Sequence, residues 1–475
     1  MKELPIHIQL NPDGEKCLYE QIYEFIRQEI RNGNLLQNEK LPSSRYLAEY
    51  LQVSRTTVDM AYGQLVSEGY LEARPQKGYF VCAIEELYDI KTEAAGVQRQ
   101  KEDADSKESY AYDFSPNKID MSLFPYATWK KITKNILVDA KSSMFALGEP
   151  QGDLELRTTI CRYLHASRGV NCKPEQIIIG AGNDYLLLLL EKILGRHVPI
   201  AMENPTYKRA YQIFCSFAYP VSLIPMDESG IQMDALKKSG AQVAYVMPAH
   251  QYPTGIVMPI GRRMELLKWA KEKEERYLIE DDYDSEFRYR GKPIPSLQAS
   301  DQYGKVVYIG TFSKAIAPAI RISYMVLPEK LLEKYHQNCG FYSSTVSRID
   351  QTILNEFIRD GYFERYLNKM RKHYRMKHDM VMNELHHFEK DFHISGENAG
   401  LHVLLTDKRG RSEQELWELA KKAGIKVYRM SDLRMDQKSP VKEETAENAT
   451  IILGYASLSQ EQIVEGLRLL FQVWQ

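Results

Sequence analysis

The sequence predicts an α/β protein in which a large domain with a mainly parallel sheet follows a small winged helix-turn-helix domain. From residue 110 onward, short apolar runs of strand length alternate with longer amphipathic segments, an order typical of a parallel sheet covered by helices. Residues 1–82 instead show three helical patterns and a hairpin pattern. Residues 83–109 separate the two and become strongly polar and charged after residue 90, which predicts a flexible linker. The alternative is an ordered helix, although no apolar stripe supports one.

Composition and charge exclude several classes of protein. The chain has 475 residues, 44% of them hydrophobic, and a formal net charge of −2, so it offers no global basic field for nucleic acid. Its six cysteines form no Cys-x-x-Cys pair, which argues against a disulfide framework and a zinc site. The longest apolar run, residues 185–190, is too short to span a bilayer, and the N-terminus has no apolar signal core. We therefore expect a cytoplasmic protein with no metal and no membrane partner.

The first 82 residues predict a winged helix. Apolar residues at helical spacing indicate a helix over residues 18–30, and two further helices begin after Ser43 and Ser54, each of which can cap its helix. Strand-like pieces follow at residues 70–73 and 78–81. A helix, a helix-turn-helix and a hairpin in this order are the outline of that fold.

The third of these helices carries side chains suited to DNA. Arg55, Thr56 and Thr57 stand at its N-terminal end and face outward, where they can reach base edges and phosphates in a major groove. Arg45 and the wing residue Lys77 suit contacts to the DNA backbone. The alternative is that all five are solvated groups on a small helical bundle, and the slightly acidic balance of this segment does not decide between the two.

The large domain, residues 110–475, contains several strand candidates. They are residues 176–179, 199–202, 243–246, 276–279, 306–309 and 323–326. Helical segments such as residues 264–273 lie between several of them. In a sheet of this kind ligand sites gather at the carboxyl ends of the strands.

Lys314 is the candidate reactive residue, because it comes shortly after the apolar run 306–309. A lysine amine attacks an aldehyde only when it is neutral, and partial burial lowers its pKa toward that state. Thr311 and Ser313 could donate to phosphate oxygens, and Arg321 could add a fixed charge. Together these groups suit a phosphorylated aldehyde, pyridoxal 5'-phosphate. Taken alone the signal is weak, since most lysines are solvated surface groups.

Further candidates follow other strands. Ala181 and Gly182 lie in a turn that opens a leucine-rich helix, where free N–H groups can seat a phosphate. Tyr207 could lie on a pyridine ring, and Asp281 could hold a proton on the ring nitrogen. Tyr283, on the same side of an extended chain as Asp281, could bond the ring hydroxyl. The alternative for residues 280–282 is a solvated acidic turn.

Two groups of motifs resemble known families. Residues 41–48, 53–58 and 65–71 closely resemble the DNA-binding domain of GntR-type bacterial regulators. The glycine turn at 180–182, Tyr207, residues 250–255 with the sequence HQYPTG, the Asp281–Tyr283 motif, Ser313–Lys314 and Arg321 resemble a fold-type I aminotransferase. Joined in one chain, they resemble the MocR family of bacterial transcription regulators, and residues 279–287 and 310–314 are especially similar to its GABA-responsive member.

The resemblance implies a role for each candidate. The residues implied to contact operator DNA are Arg45, Ser54, Arg55, Thr56, Thr57, Lys77 and Gly78. Lys314 would form the Schiff base with pyridoxal phosphate, Asp281 would pair with the ring nitrogen, Tyr283 would bond the ring hydroxyl and Tyr207 would stack on the ring. The groups implied to hold the phosphate are Ala181, Gly182, Thr311, Ser313 and Arg321. Residues 399–402 resemble the start of the smaller C-terminal subdomain.

The expected effector site departs from the family pattern. Arg209 matches one arginine that grips the carboxylate of GABA, but Asp432 aligns with the second, so that Arg429 or Arg434 would have to substitute. Ser457 stands where aminotransferases usually place a carboxylate-binding arginine. Tyr252 replaces the asparagine usual before Pro-Thr-Gly, a change that MocR regulators tolerate.

The combined features predict a regulator that binds operator DNA and senses an amine, an amino acid or pyridoxal phosphate itself through its aminotransferase-like domain. The family further implies a head-to-tail homodimer in which each winged helix packs near the partner's large domain. One alternative is a working aminotransferase with an accessory DNA-binding domain, which the missing carboxylate arginine disfavours. Another is a protein that binds DNA constitutively and no longer holds the cofactor.

Overall fold

The computed structural model describes residues 8, 10–11, 16–83, 110–138, 142–289, 294–397, 399–435 and 449–475. The chain divides into two compact units, residues 1–107 and 108–475. Apart from residue 83, the predicted linker at 83–109 lies outside the described residues.

The first unit is a winged helix, as the sequence predicts. Its elements are α1 Leu18–Arg31, α2 Ser44–Leu51, α3 Arg55–Ser67, β1 Leu71–Arg74 and β2 Gly78–Val81. Ser43 and Ser54 cap α2 and α3 by accepting from the N–H groups of Tyr46 and Thr57, which satisfies donors that have no partner within the helix. The apolar residues that set the helical spacing, among them Ile22, Ile26, Leu47, Val58 and Leu65, form the buried core.

The second unit contains a large sheet, a small sheet and the helices around them. Its helices are α4 Tyr126–Val138, α5 Leu154–Arg168, α6 Asn183–Leu194, α7 Lys208–Ser216, α8 Met233–Lys238, α9 Ile260–Lys271, α10 Phe312–Ala315, α11 Glu329–Cys339, α12 Arg348–Arg359, α13 Tyr362–Leu385, α14 Glu413–Lys422 and α15 Gln460–Trp474. Its strands are β3 Tyr112–Asp113, β4 Ile177–Gly180, β5 Ile200–Asn204, β6 Val221–Asp227, β7 Gly230–Ile231, β8 Val243–Val246, β9 Tyr277–Asp282, β10 Val306–Thr311, β11 Ser323–Val326, β12 Phe392–Ser395, β13 His402–Asp407, β14 Ile425–Lys426, β15 Tyr428–Arg429 and β16 Thr450–Gly454.

The large sheet has eight strands in the order β4-β11-β10-β9-β8-β5-β6-β7. All of them run parallel except β11 and β7. All six predicted strands are confirmed, two of them with the predicted ends and the others with ends that differ by at most three residues, whereas β6 and β7 were not predicted. The sheet is buried on both faces: Ile279 packs into one apolar cluster and the adjacent Leu278 into another. Two-sided burial explains why these strands read as continuous apolar runs.

The small sheet is antiparallel, in the order β12-β13-β16-β15, and packs with α13, α14 and α15 around a third apolar cluster. It begins at β12, before the motif at 399–402 that was expected to open this subdomain. β3 pairs with β14, so the first described strand of this unit is attached to the C-terminal subdomain.

The order of the large sheet positions the site. Gly180, Asp282 and Thr311 are the last residues of β4, β9 and β10, and these strands run in the same direction. Their carboxyl ends therefore meet at one edge. Among the described residues, no helix is long and apolar enough to cross a membrane.

Candidate ligand-binding site

A cavity of about 360 Å³ lies at this edge of the large sheet. Most of the residues that the sequence singles out for cofactor and effector line it. They are Tyr207, Arg209, Asp281, Tyr283, Thr311, Ser313, Lys314 and Arg321. The fold thus brings together side chains that are more than 100 residues apart in the chain.

Lys314 lies in the short helix α10, directly after β10. Its Nζ donates to the backbone carbonyl of Pro116 at 3.0 Å. Burial lowers the pKa of the amine, and the nearby charge of Asp284 opposes that effect. The lysine is therefore biased toward the neutral form that a nucleophilic amine requires.

Asp281 is a buried carboxyl group near the end of β9. It accepts hydrogen bonds from the hydroxyl of Tyr245 and from Nδ2 of Asn183, the latter at 3.4 Å. Burial raises the pKa of Asp281 to about 7. A cationic ring nitrogen beside it would supply the positive charge that a buried carboxylate lacks.

Gly182 and Arg321 form the side of the cavity suited to a phosphate. Gly182 has φ +94°, and a Cβ built on it would lie 2.3 Å from Nη2 of Arg321. The guanidinium therefore packs directly over the backbone at the N-terminus of α6, where it also meets Asp184 at 3.2 Å and the carbonyl of Ala181 at 3.4 Å. A cation and a helix N-terminus side by side favour an anion.

Two hydroxyl groups complete that side. Ser313 Oγ is buried and has no hydrogen-bond partner among the described residues. Thr311 Oγ1 accepts from Ser313 N at 3.1 Å and from Ser323 Oγ at 2.8 Å. The N–H of Ala181, expected to face phosphate, donates here to Thr345 Oγ1 at 3.1 Å. An unpartnered buried donor beside Arg321 fits a phosphate oxygen, since such groups are otherwise costly.

Three tyrosines provide flat surfaces in the cavity. The ring of Tyr252 lies edge-on to both Tyr207 and Tyr283, with centroids 6.0 Å apart in each pair. Tyr207 is the residue that precedes α7. The arrangement leaves aromatic side chains available to contact a planar ligand.

The two proposed effector arginines are placed differently. Arg209 lines the cavity, is largely exposed, and lies 3.6 Å from the same Asp184 oxygen that Arg321 contacts. Arg429 is not among the lining residues. Its guanidinium pairs with Asp432 at 2.8 Å and lies over the Trp417 ring. The structure therefore brings one of the two proposed effector arginines to the cavity.

Several residues of the site were missed by sequence reasoning. Asn117 and Asn183 line the cavity, Asp184 holds the arginines, and Tyr245 bonds Asp281. Asn183 and Asp184 directly follow the predicted glycine turn, so their position was available in the sequence. Nothing local marks Asn117 or Tyr245, because their contacts are made across the fold.

The predicted DNA-contact residues lie on the surface of the first unit. Arg45, Arg55, Thr56 and Lys77 are exposed, and Nε of Arg55 lies 3.4 Å from Asp59 one helical turn away. Ser54 is the cap of α3, and its Oγ also bonds Thr57 Oγ1 at 2.8 Å. Gly78 begins β2 with φ +104°. The side chains at the start of α3 and at Lys77 therefore stay exposed in the described part of this unit, whereas the Lys40 side chain packs against Gly78.

Comparisons with known proteins agree with this division. Residues 114–450 match the family "Aminotransferase class I and II", and residues 18–81 match "Bacterial regulatory proteins, gntR family". The first match spans more than half of the chain.

Individual relatives match over nearly the full length. The uncharacterized HTH-type transcriptional regulator YdeL of Bacillus subtilis is 40% identical, covering 98% of each chain. The probable rhizopine catabolism regulatory protein MocR of Rhizobium meliloti is 30% identical, covering 96% of this chain and 94% of its own. Among solved structures, a multiple substrate aminotransferase from Thermococcus profundus superimposes with a TM-score of 0.67 at 24% identity, covering 77% of this chain and 91% of that one. At that identity the likeness establishes the fold of the larger unit.

Proposed function

Because the chain belongs to the MocR family of bacterial transcription regulators, in which a GntR-type domain is joined to a class I and II aminotransferase domain, we propose that its larger unit binds pyridoxal phosphate at Lys314 and senses an amine or amino acid, or the cofactor itself. The protein is a DNA-binding regulator, and the proposal concerns what controls it. The observation that carries it is the cavity in which Lys314, Asp281 and the unpartnered Ser313 hydroxyl meet.

The residues present fit the cofactor. Lys314 would hold its aldehyde carbon and Asp281 its ring nitrogen, while Thr311, Ser313 and Arg321 would hold the phosphate, with Ala181 and Gly182 shaping that end. Tyr207 and Tyr283 would contact the ring. Bound there, pyridoxal phosphate supplies an aldehyde that captures primary amines reversibly. The chain's contribution is to keep the lysine neutral by burial and to hold the anionic and cationic ends apart.

Arg209 and Asp184 bear on the class of effector. Arg209 is the arginine that the cavity offers outside the phosphate side, and it already faces Asp184. An effector carboxylate would have to compete with Asp184 for it, and Arg429 could take part only by leaving Asp432. This balance favours an amine with at most one carboxylate.

One segment of the cavity wall lies close in sequence to the predicted linker that joins the two units. The segment 113–120, called the strap here, contains Pro116, which accepts from Lys314, and Asn117, which lines the cavity. When the amine of Lys314 is engaged by a ligand, its hydrogen bond to Pro116 is lost. We propose that the resulting change in the strap shifts the protein between states with different affinity for DNA.

We propose that the protein acts as a cytoplasmic homodimer on operator DNA. The larger unit leaves Val138, Phe145 and Leu147 between 70% and 87% exposed, and exposed apolar groups of this size favour a protein interface. The side chains proposed to contact DNA are those predicted at the start of α3, at Arg45 and in the wing at Lys77 and Gly78. Sedimentation equilibrium measures the oligomer, and a monomer at micromolar concentration would contradict the dimer.

A working aminotransferase is the second candidate, because Lys314, Asp281 and Tyr283 are all present in the cavity. Against it, Ser457 replaces the expected carboxylate-binding arginine, and Asp432 holds Arg429 away. Steady turnover of an amino donor with a 2-oxo acid would support the enzyme, whereas a single half-reaction would not.

The cofactor proposal is tested by borohydride reduction of the loaded protein followed by peptide mass spectrometry. We expect a pyridoxyl adduct on the peptide that contains Lys314 and none in the Lys314→Ala variant. Lys305→Ala is the matched control, since burial also lowers the pKa of Lys305 but that residue does not line the cavity. Gel shifts against the DNA upstream of the protein's own gene, with and without pyridoxal phosphate, then test control of binding. If DNA binding is unchanged by the cofactor and by every amine tested, the sensing role is contradicted.

A further inference from the structure

A histidine and an aspartate that the proposed function does not use lie directly behind Tyr283. His250 Nδ1 is 3.1 Å and 3.0 Å from the two carboxylate oxygens of Asp284, and 2.9 Å from the hydroxyl oxygen of Tyr283. His250 and Asp284 are each 3% exposed, whereas Tyr283 lines the cavity. The histidine therefore joins a buried carboxylate to a hydroxyl group at the candidate site.

The position of one hydrogen on His250 decides what the Tyr283 hydroxyl can do. His250 Nε2 is buried and has no hydrogen-bond partner among the described residues, so the preference between tautomers is set at Nδ1. Opposite the carboxylate of Asp284, Nδ1 keeps its hydrogen and donates it, as an imidazole beside an aspartate does in catalytic triads. A nitrogen that carries a hydrogen cannot accept one from Tyr283. The phenol hydrogen is then free to point into the cavity.

We propose that Asp284 and His250 are positioning residues that make Tyr283 a hydrogen-bond donor toward the ligand in the cavity. In naming that ligand's ring hydroxyl as the acceptor, the inference rests on the proposed function. Burial and then the charge of Asp284 raise the pKa of Tyr283 well above its ordinary value, so the phenol retains the hydrogen that it donates.

The surroundings hold His250 in place. A Cβ on Gly400, which has φ +79°, would lie 2.0 Å from His250 Cε1, so the ring packs against bare backbone. The ring of the neighbouring His402 lies with its centroid 5.5 Å from that of His250, and its Nε2 donates to the carbonyl of Pro253 at 2.9 Å. Burial, followed by His250, lowers the pKa of His402 to about 4, so His402 is neutral at pH 7. Asp284 is thus the charged group in direct contact with His250. The charge of Asp284 also acts on the amine of Lys314, whose pKa it raises against the effect of burial.

The tautomer can be measured without any cofactor. In ¹⁵N NMR of histidine-labelled protein, with His250 assigned by its loss in His250→Gln, we expect hydrogen on Nδ1 in the wild type. Asp284→Asn, which keeps the shape and removes the charge, should shift the population toward Nε2. Asp379→Asn is the control, because that carboxyl group contacts His378 instead. The inference is overturned if the hydrogen is on Nε2 in the wild type, or if the tautomer population of His250 is the same in Asp284→Asn as in the wild type.

The consequence for the ligand is measured by titrating the visible absorbance of the pyridoxal phosphate-loaded protein with pH. A donor to the ring oxygen stabilises its anionic form, so losing the donor raises the midpoint. We expect Tyr283→Phe to raise the midpoint by about one pH unit, a tenfold change, in the wild-type background, and by much less in the Asp284→Asn background, where the phenol is no longer held as a donor. An equal rise from Tyr283→Phe in the two backgrounds overturns the inference, and comparing backgrounds cancels the direct effect of the Asp284 charge on the Lys314 amine. If the wild-type protein shows no visible absorbance band with pyridoxal phosphate, the cofactor proposal is contradicted. The NMR measurement then still tests whether Asp284 sets the tautomer of His250.

Discussion

Lys314 Nζ donates a hydrogen bond to the carbonyl oxygen of Pro116, 3.0 Å away and 198 residues earlier in the chain. Pro116 belongs to the strap, which follows the predicted linker at 83–109 after only a few residues. The far end of the strap is held at Asp120, whose carboxylate lies 2.6 Å from Nζ of the buried Lys377. The strap, which follows the DNA-binding unit and the predicted linker in the chain, is therefore the segment on which we propose that a ligand at Lys314 acts first.

Engaging Lys314 should loosen the strap. In hydrogen exchange with mass spectrometry, the peptide covering residues 110–120 should exchange faster after pyridoxal phosphate is bound, because Pro116 loses its side-chain donor. Lys314→Met, which removes the amine but keeps an unbranched side chain, should show the faster exchange without any ligand. The helix α9 serves as an internal control, since it contributes no residue to the cavity lining. Equal exchange of residues 110–120 in all three states would refute the proposed route.

Replacing Gly182 should weaken cofactor binding specifically. Gly182→Ala places a Cβ against Arg321 and also strains the backbone, because φ +94° and ψ 166° suit glycine almost alone. Gly195 provides a matched control at the other end of α6, with φ +99°, ψ 169° and nothing within 4 Å of its Cβ position. Each variant should lose about 1–3 kcal/mol of stability from backbone strain. Only Gly182→Ala should also bind pyridoxal phosphate more weakly, by roughly tenfold or more, as judged by absorbance titration of the folded fraction.

In the cofactor-free protein, the stability contributed by Asp281 should fall as the pH rises from about 4 to about 7. The pKa of Asp281 is raised to about 7 by burial, so the unfolded chain releases this proton first and its free energy falls relative to the folded state. The stability contributed by the protonated form is complete below pH 4 and is lost through pH 7. The buried Glu203, Glu280 and Glu286 have pKa values raised in the same way, to about 7.

The variant Asp281→Asn isolates the part of this effect that belongs to the site. It should stabilise the cofactor-free protein at pH 8 by on the order of 2 kcal/mol and have little effect at pH 4, while weakening cofactor binding. Denaturant unfolding at the two pH values measures the difference. A variant less stable than the wild type at pH 8 would show that Asp281 is held ionised without the cofactor.

The DNA-contact residues should divide into two classes. Lys77→Ala, in the wing, should weaken binding to all DNA sequences. It should also reduce the slope of the logarithm of the binding constant against the logarithm of salt concentration by about one. Arg55→Ala should cost about 1–3 kcal/mol on the preferred sequence and relax the base preference. Asp59→Asn, which releases Arg55 from its intrahelical partner, should instead strengthen binding. Fluorescence anisotropy at several salt concentrations measures DNA binding by all three variants. If Arg55→Ala loses the same affinity for every DNA sequence, Arg55 contacts the DNA backbone and not the bases.

Much of the site could be predicted from the sequence because it is encoded locally. Lys314, Asp281 and the turn at 181–182 each follow a recognisable apolar strand, and a parallel sheet brings strand ends to one edge. The last two strands of the large sheet, β6 and β7, were missed because Val221–Asp227 is only partly buried and interrupted by Pro225, and Gly230–Ile231 has only two residues. The position of Arg429 could not be predicted for a different reason. Its contacts with Asp432 and Trp417 depend on how β15 packs, which no local sequence pattern indicates.

By itself the sequence determined the two kinds of domain, the helix caps at Ser43 and Ser54, and the set of cofactor-type residues, because periodicity, capping and glycine turns depend on neighbours a few positions apart. Only the tertiary structure decided that Pro116 receives the hydrogen bond of Lys314, that His250 lies within hydrogen-bond distance of both Asp284 and Tyr283, and that Asp184 contacts two arginines. These relationships depend on strand order and on how loops pack at the sheet edge. Contacts between distant segments are selected by the burial of the whole fold, and the residues that make them carry no signal of their own in the chain.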